Sequence, residues 1–298
     1  MNSLHGENLS LNELSLNEDL LRVFSSVFET YGLDIKRYKI AFMKRRLDRR
    51  MRILEIEDYL EYAMVLKKER PEFEELFTSL SINVTNFFRD PAVYDKFKLS
   101  VMPKILSALG QRDKIKVWSA GCASGEEAYS LAIMFIHAIG RTNNFDLEII
   151  ANDINKKAIE YAQIGRYSEK SIDTLPLDII ANHFQKIVDS ENNVLYEVVP
   201  STKNLVTFKV GDILSNDSKN VDVIFCRNVL IYYEKEAQEL IVTKFYHCLK
   251  ESSYLVLGMD ETMLGRRCEK LFNPIMARER IYQKIAVPDN QKRMLYHI

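Results

Sequence analysis

The chain is poor in the residues that build covalent or metal frameworks. Its 298 residues contain four cysteines (Cys122, Cys226, Cys248 and Cys268), spread singly and without a C-x-x-C pair. This predicts free thiols in a reducing compartment rather than disulfides or a metal centre. Glycine occurs only ten times, and no G-x-G-x-x-G is present, which argues against the usual pyrophosphate cradle of a dinucleotide fold. No apolar run approaches the roughly 18 residues needed to span a membrane. The opening "MNSLHGENLSLNELSLNEDLL" has no basic start and no continuous apolar stretch, so no secretory signal is expected and the chain reads as cytoplasmic.

What is present fits a folded, water-soluble protein: 47% apolar and 28% charged residues, with a net charge of −1. That balance conceals an asymmetry. "KRYKIAFMKRRLDRRMR", residues 36–52, carries nine basic residues against the single acid Asp48. The stretch is a local positive source with Lys44, Arg45, Arg46, Arg49 and Arg50 as its centre, either a solvated face of an amphipathic helix or a docking face. Nucleic-acid binding is a third and disfavoured reading of this stretch.

Hydrophobic spacing divides the chain. Residues 18–82 follow a helical period throughout and predict a small all-helical domain carrying the basic helix, preceded by a flexible tail (1–17) with a tandem LSLNE. Residues 83–95 read as a linker that contributes to a ligand site. From 96 to 286 short apolar runs alternate with helical stretches: "KIKVWSA", "LEIIAND", "NLVTFKVGD", "VDVIFCRN", "SYLVLG" and "RIYQKIA" as strands, and "DPAVYDKFKLSVMPKIL" as one helix. This predicts an α/β, Rossmann-like, doubly wound and mainly parallel sheet. An inserted small β-subdomain is expected at about 167–203, and a C-terminal tail at 287–298.

Ligands of such sheets sit at the carboxyl ends of the strands, where four stretches collect. "SAGCASGEEAYS" offers a glycine turn and two acids, Glu126 and Glu127, at a helix start. Asp153, in "IIANDIN", either accepts ribose hydroxyls or caps the helix beginning near Asn155. Asp212, in "VGDIL", is placed to face an adenine or is ordinary turn chemistry. "FCRNVLIYY" puts Arg227 directly after a buried strand, followed by Asn228 and by Tyr232 and Tyr233. Acids without a phosphate cradle suit a nucleoside that carries hydroxyls and positive charge. S-adenosylmethionine has both, together with an aminocarboxylate tail. "NVTNFFRD", residues 83–90, then supplies polar donors through Asn83, Thr85 and Arg89, while Phe87 and Phe88 anchor the turn.

"NVTNFFRD", "VWSAGCASGEEAYSLAI", "ANDIN" and "IFCRNVLIYY", in that order and after a helix "YKIAFMKRRLDRRM", resemble the signature blocks of the CheR family of chemotaxis receptor methyltransferases. The resemblance runs from about Glu18 to about Ala286. It implies transfer of methyl from S-adenosylmethionine to glutamate side chains on the cytoplasmic helical bundle of chemoreceptors, leaving S-adenosylhomocysteine, with no insertion into the membrane. It implies cofactor contacts from Asn83, Thr85, Arg89, Glu127, Asp153, Asp212, Ile213, Arg227 and Asn228, and it places Arg89 and Tyr232 near the reacting groups. The sequence departs from the family pattern at Ala128 (usually proline), at Asp212-Ile213 (often Asn-Leu) and at "GMDE", 258–261 (a GHSE-like segment). "NNVLYEVVP" corresponds to a β-subdomain that in some members binds a receptor's C-terminal peptide. A silent S-adenosylmethionine sensor or scaffold, and a methyltransferase for another protein, are the competing readings.

Overall fold

A computed structural model describes residues 21, 24–30, 34–80, 85–108, 114–140, 146–263 and 268–286. Asn83 and both expected tails lie outside the described residues. The chain falls into two compact units: one holds the residues through Leu80 together with Tyr232–Ala237, and the other holds the remainder.

The first unit is helical: α1 (24–30), α2 (Ile40–Ile53), α3 (Tyr59–Lys68) and α4 (Arg70–Leu80). Asp58 starts α3 by accepting the Glu61 N–H at 2.8 Å, which satisfies a donor that the first helical turn cannot. Pro71 sits in the first turn of α4, where its missing N–H has no partner to lose. Phe24, Phe28, Met43, Leu47, Tyr62, Leu66 and Leu76 form the buried interior. Within it the Arg50 Nε and Nη2 donate to the two oxygens of Glu72 at 2.9 and 2.5 Å, and the Tyr62 hydroxyl donates to the same carboxylate at 2.8 Å. Residues 232–237 complete the unit. The Lys39 N–H donates to the Tyr232 carbonyl at 2.9 Å, the Tyr233 ring stacks on Tyr38, and the Tyr232 ring lies 4.8 Å from that of Phe42.

The second unit is α/β. Its strands are β1 (Lys114–Ala120), β2 (Asp146–Asp153), β3 (Arg166–Ser168), β4 (Phe184–Val188), β5 (Val194–Val198), β6 (Val206–Val210), β7 (Val221–Cys226), β8 (Leu249–Leu257), β9 (Phe272–Met276) and β10 (Ile281–Lys284). Seven of them form one sheet in the order β6-β2-β1-β7-β8-β10-β9. The first five in that order are parallel, and β10 runs antiparallel to both its neighbours. The order turns back at β1, with β2 and β6 on one side and β7 and β8 on the other. Such a reversal opens a crevice at the strand ends. Helices α7 (Glu126–Ile139), α8 (Lys156–Ile164) and α12 (Lys235–Cys248) follow β1, β2 and β7. The remaining strands form a separate antiparallel sheet, β3-β5-β4, accompanied by the short helices α9 (Glu169–Ile172), α10 (Leu177–His183) and α11 (Pro200–Lys203).

Two elements differ from the sequence reading. The single helix expected over 90–106 is two, α5 (Pro91–Ser100) and α6 (Met102–Ala108). Pro103 cannot donate to the carbonyl four residues back, so the helix restarts. Strand β9 was not anticipated, because Pro274 in its middle demotes the run; as the last strand of the sheet it tolerates the missing donor.

Candidate functional site

Strand β1 ends buried at Ala120 and turns through Gly121 and Gly125, both at positive φ (81° and 95°). The close approach at Gly121 is obligatory: a Cβ there would stand 2.4 Å from Val229 Cγ2. The Gly121 and Cys122 N–H groups donate to the Asn152 carbonyl at 2.8 and 3.0 Å. The Asn152 side chain accepts from Trp118 Nε1 at 2.7 Å and donates to the Gly211 carbonyl at 2.8 Å. One buried amide thus ties the ends of β1, β2 and β6 together, a role that sequence pattern did not reveal.

Asp153 is not the cap of α8. Asn155 is, accepting the Ala158 N–H at 3.2 Å, while the Asp153 carboxylate accepts the N–H groups of Ala123 and Asn155, each at 2.9 Å. Burial pushes the Asp153 carboxyl up, and these N–H groups pull it back. Glu127, in the first turn of α7, accepts from the Ser119 hydroxyl at 2.7 Å. Burial raises it as well, opposed chiefly by Arg227, whose Nη1 is 3.9 Å from its carboxylate.

Arg227 follows β7 with a side chain only 2% exposed. Its Nη1 donates to the Arg89 carbonyl at 2.8 Å and its Nη2 to Asp90 at 2.6 Å, while the guanidinium lies 5.6 Å from the centre of the Tyr94 ring. Its Nε is buried with no hydrogen-bond partner among the described residues, and the same holds for the Oδ1 of the next residue, Asn228. Asp90 is the anchor that the sequence reading missed. Both Phe88 and Asp90 adopt positive φ (50° and 55°), which folds the linker back so that its main chain meets Arg227.

The aromatic pair of "NVTNFFRD" pins that linker. Phe87 is buried against Tyr167 and Phe184, with ring centres 4.9 and 5.2 Å away, and the Phe88 N–H donates to the Ser130 hydroxyl at 2.9 Å. Thr85 is half-buried at its start. Asp212 caps the short turn Ile213–Ser215 by accepting the Leu214 N–H at 2.8 Å, and Ile213 is buried there. Contacts therefore join Arg89, Glu127, Arg227 and Asn228 around the end of β7, and Asp153 with the turn after β1. Tyr232 belongs to the helical unit, as does the basic helix. There Arg45 and Arg49 are exposed, Lys44 pairs with Asp48 at 2.8 Å, Arg46 lies over Phe42, and Arg50 is committed to Glu72.

The rim fits the cofactor expected from the sequence. Half-buried carboxylates at Glu127 and Asp153 retain acceptor capacity for hydroxyl and cationic groups, and among the described residues an acceptor on Asn228 and a donor on Arg227 are open. Among the described residues no group of three His, Cys, Asp or Glu is arranged to hold a metal, and no helix is long and apolar enough to cross a membrane.

Comparison with known proteins agrees with this geometry. Residues 83–280 match the family model described as CheR methyltransferase, SAM binding domain, and residues 18–81 match CheR methyltransferase, all-alpha domain. A chemotaxis protein methyltransferase of Borreliella burgdorferi is 29% identical over 87% of this chain and 95% of its own length. One from Listeria monocytogenes is 32% identical over 84% of this chain and 92% of its own. The solved structure of magnesium protoporphyrin IX methyltransferase from Synechocystis PCC 6803 aligns more loosely, at 20% identity and a TM-score of 0.30, over 61% of this chain and 62% of that one. The chain belongs to the CheR methyltransferase family and is an S-adenosylmethionine-dependent methyltransferase.

Proposed function

We propose that this enzyme esterifies glutamate side chains on the cytoplasmic helical bundle of chemoreceptors, working in the cytoplasm. The observation that carries the site is the cluster at the end of β7: the buried Arg227 between Glu127 and Asp90, with one guanidinium nitrogen and the neighbouring Asn228 oxygen open among the described residues. In this reading Thr85, Arg89, Arg227 and Asn228, with Asn83, hold the aminocarboxylate tail. Glu127 and Asp153 hold hydroxyl and charged groups, and Asp212 with Ile213 lines the adenine side. S-adenosylmethionine, when bound by these residues, would supply the methyl group for an acceptor carboxylate oxygen and leave as S-adenosylhomocysteine.

A glutamate acceptor is already ionised at neutral pH, so no side chain of the enzyme has to remove a proton. The chain's contribution is placement, for which alignment of reacting groups can supply about 7–11 kcal/mol. Arg89 and Tyr232 are assigned to that task. Of the basic helix, Arg45 and Arg49 present charge to solvent and serve as the docking face for an acidic bundle. Lys44, Arg46 and Arg50 support that face from within their own contacts.

Incubation with radiolabelled S-adenosylmethionine and receptor-containing membranes tests the assignment. Base-labile label on a receptor band is expected. Binding without transfer would point to a sensor, and label on another protein to a different substrate. Tyr232→Phe should lose rate while keeping cofactor affinity; unchanged turnover would remove Tyr232 from the mechanism.

A further inference from the structure

Glu261 follows β8 and is only 3% exposed. Its Oε1 accepts the N–H groups of Val229 and Leu230, each at 2.7 Å. Its Oε2 accepts those of Asn228 at 3.0 Å and Gly258 at 2.6 Å. Burial pushes this carboxyl up, and the four main-chain donors hold it down. A carboxylate so deep in the protein is costly unless its acceptor sites are filled, and here main chain alone fills four of them.

Three of those donors belong to consecutive residues of the bend after β7, and the fourth to the end of β8. Asn228 opens the bend at φ 61°, a conformation that a residue with a side chain seldom adopts. Its main chain is thereby fixed by Glu261, while its side-chain Oδ1 remains buried and open. Two close approaches lock the arrangement. A Cβ on Gly258 would lie 2.7 Å from the Asn228 nitrogen and 2.7 Å from Glu261 Oε2, and Val229 fills the space that a Cβ on Gly121 would need.

We propose that Glu261 is a positioning residue for methyl transfer, holding the bend after β7 so that Asn228 Oδ1 is presented as an acceptor to a donor group, ammonium or hydroxyl, of the bound cofactor. This rests on the reading of Asn228 as a cofactor contact. Glu261 itself touches no cofactor; it acts through the main chain of its neighbour.

Calorimetry on the full chain with S-adenosylmethionine and with S-adenosylhomocysteine separates positioning from simple bracing. Glu261→Gln keeps the size but sets an amide donor against main-chain donors. At a temperature where circular dichroism shows the variant folded, it should bind both nucleosides at least about tenfold more weakly. Asn228→Ala should lose a similar factor. The double variant should be no weaker than the weaker single one, because both changes remove the same contact. Gly258→Ala, which displaces the same bend from the other side, should reproduce the loss and decides the matter if Glu261→Gln does not fold. Wild-type affinity in a folded Glu261→Gln or Gly258→Ala, or losses that multiply in the double variant, would reduce Glu261 to a brace. If the wild-type chain takes up neither nucleoside, the cofactor reading itself fails and this assignment goes with it.

Discussion

Two arginines held by carboxylates, one in each unit, show what distinguishes a structural charge from a functional one. Arg50 meets Glu72 through two parallel hydrogen bonds, and the Tyr62 hydroxyl closes the same carboxylate. Arg227 is more deeply buried, yet its partners are less complete: a main-chain carbonyl, the partly exposed Asp90, and Glu127 at the margin of contact, with Nε unpaired among the described residues. Burying a charge is tolerable when its donors are met. The first site meets that condition by itself, whereas the second leaves the condition to be met by something that binds.

The largest expected effect tests this contrast directly. Glu72→Ala strands Arg50 inside the helical unit and should cost about 3–5 kcal/mol of stability, the usual penalty for breaking a buried pair. Urea unfolding measures the loss, and cofactor affinity in the folded fraction should not change. Arg227→Gln should do the reverse, lowering affinity for S-adenosylmethionine by about a hundredfold or more, the cost of a charge-assisted contact and its geometry, with a smaller fall in stability. Were Arg227→Gln to unfold the chain while Glu72→Ala left it intact, the two arginines would have exchanged roles and the contrast would be wrong.

The same contrast explains what could be read from residues alone. The apolar strands "KIKVWSA" and "VDVIFC" and the helical period of α2 announce themselves through spacing, so the α/β class, the inserted β-subdomain and the helical region were legible. Strand β9 was hidden by Pro274, and the break between α5 and α6 by a continuous helical period that Pro103 interrupts. Chemistry-bearing residue types at strand ends were visible because topology places ligands there. The roles of Asp90, Asn152 and Glu261 were not. Each depends on main-chain groups brought together by positive-φ residues or by strand register, and neither leaves a periodic trace in the sequence. Asp153 shows the converse: residue type left ribose acceptor and helix cap equally open, and the Asn155 cap geometry removes the second.

Two adjacent acids sharpen the comparison through pH. Glu127 has Arg227 within reach, whereas Glu126 accepts from the Ser124 hydroxyl at 2.7 Å and from its own main-chain N–H, neither of them a charge, and burial pushes its carboxyl up to about 7. With the folded value above the unfolded one, the fold keeps a proton that the open chain gives up. Stability attributable to Glu126 is therefore intact near pH 4 and declines as pH rises toward 7. From the ordinary 4.5 to about 7 the decline amounts to roughly 3 kcal/mol. Glu126→Gln should unfold at higher urea concentration than wild type at pH 8 and at nearly the same concentration at pH 4.5. A gain of equal size at both pH values would mean that packing, not ionisation, is responsible.

The smallest effect concerns charges that form no ion pair among the described residues. Arg45 and Arg49 are exposed on α2, and Arg46 lies below its ordinary value through burial first and through these two neighbouring charges second, while staying charged. Surface charges of this kind add little to stability, but they raise the encounter rate with an acidic partner and lose that advantage as salt is added. Reversing both, Arg45→Glu with Arg49→Glu, should leave urea unfolding and cofactor affinity within error. It should lower kcat/KM for receptor methylation about tenfold at low salt, and the deficit should shrink toward parity near 0.5 M salt. Because Arg50 is occupied by Glu72, Arg50→Glu should instead lower stability before any docking defect is seen. A deficit in Arg45→Glu/Arg49→Glu that ignores salt would assign these residues to a fixed contact rather than to steering.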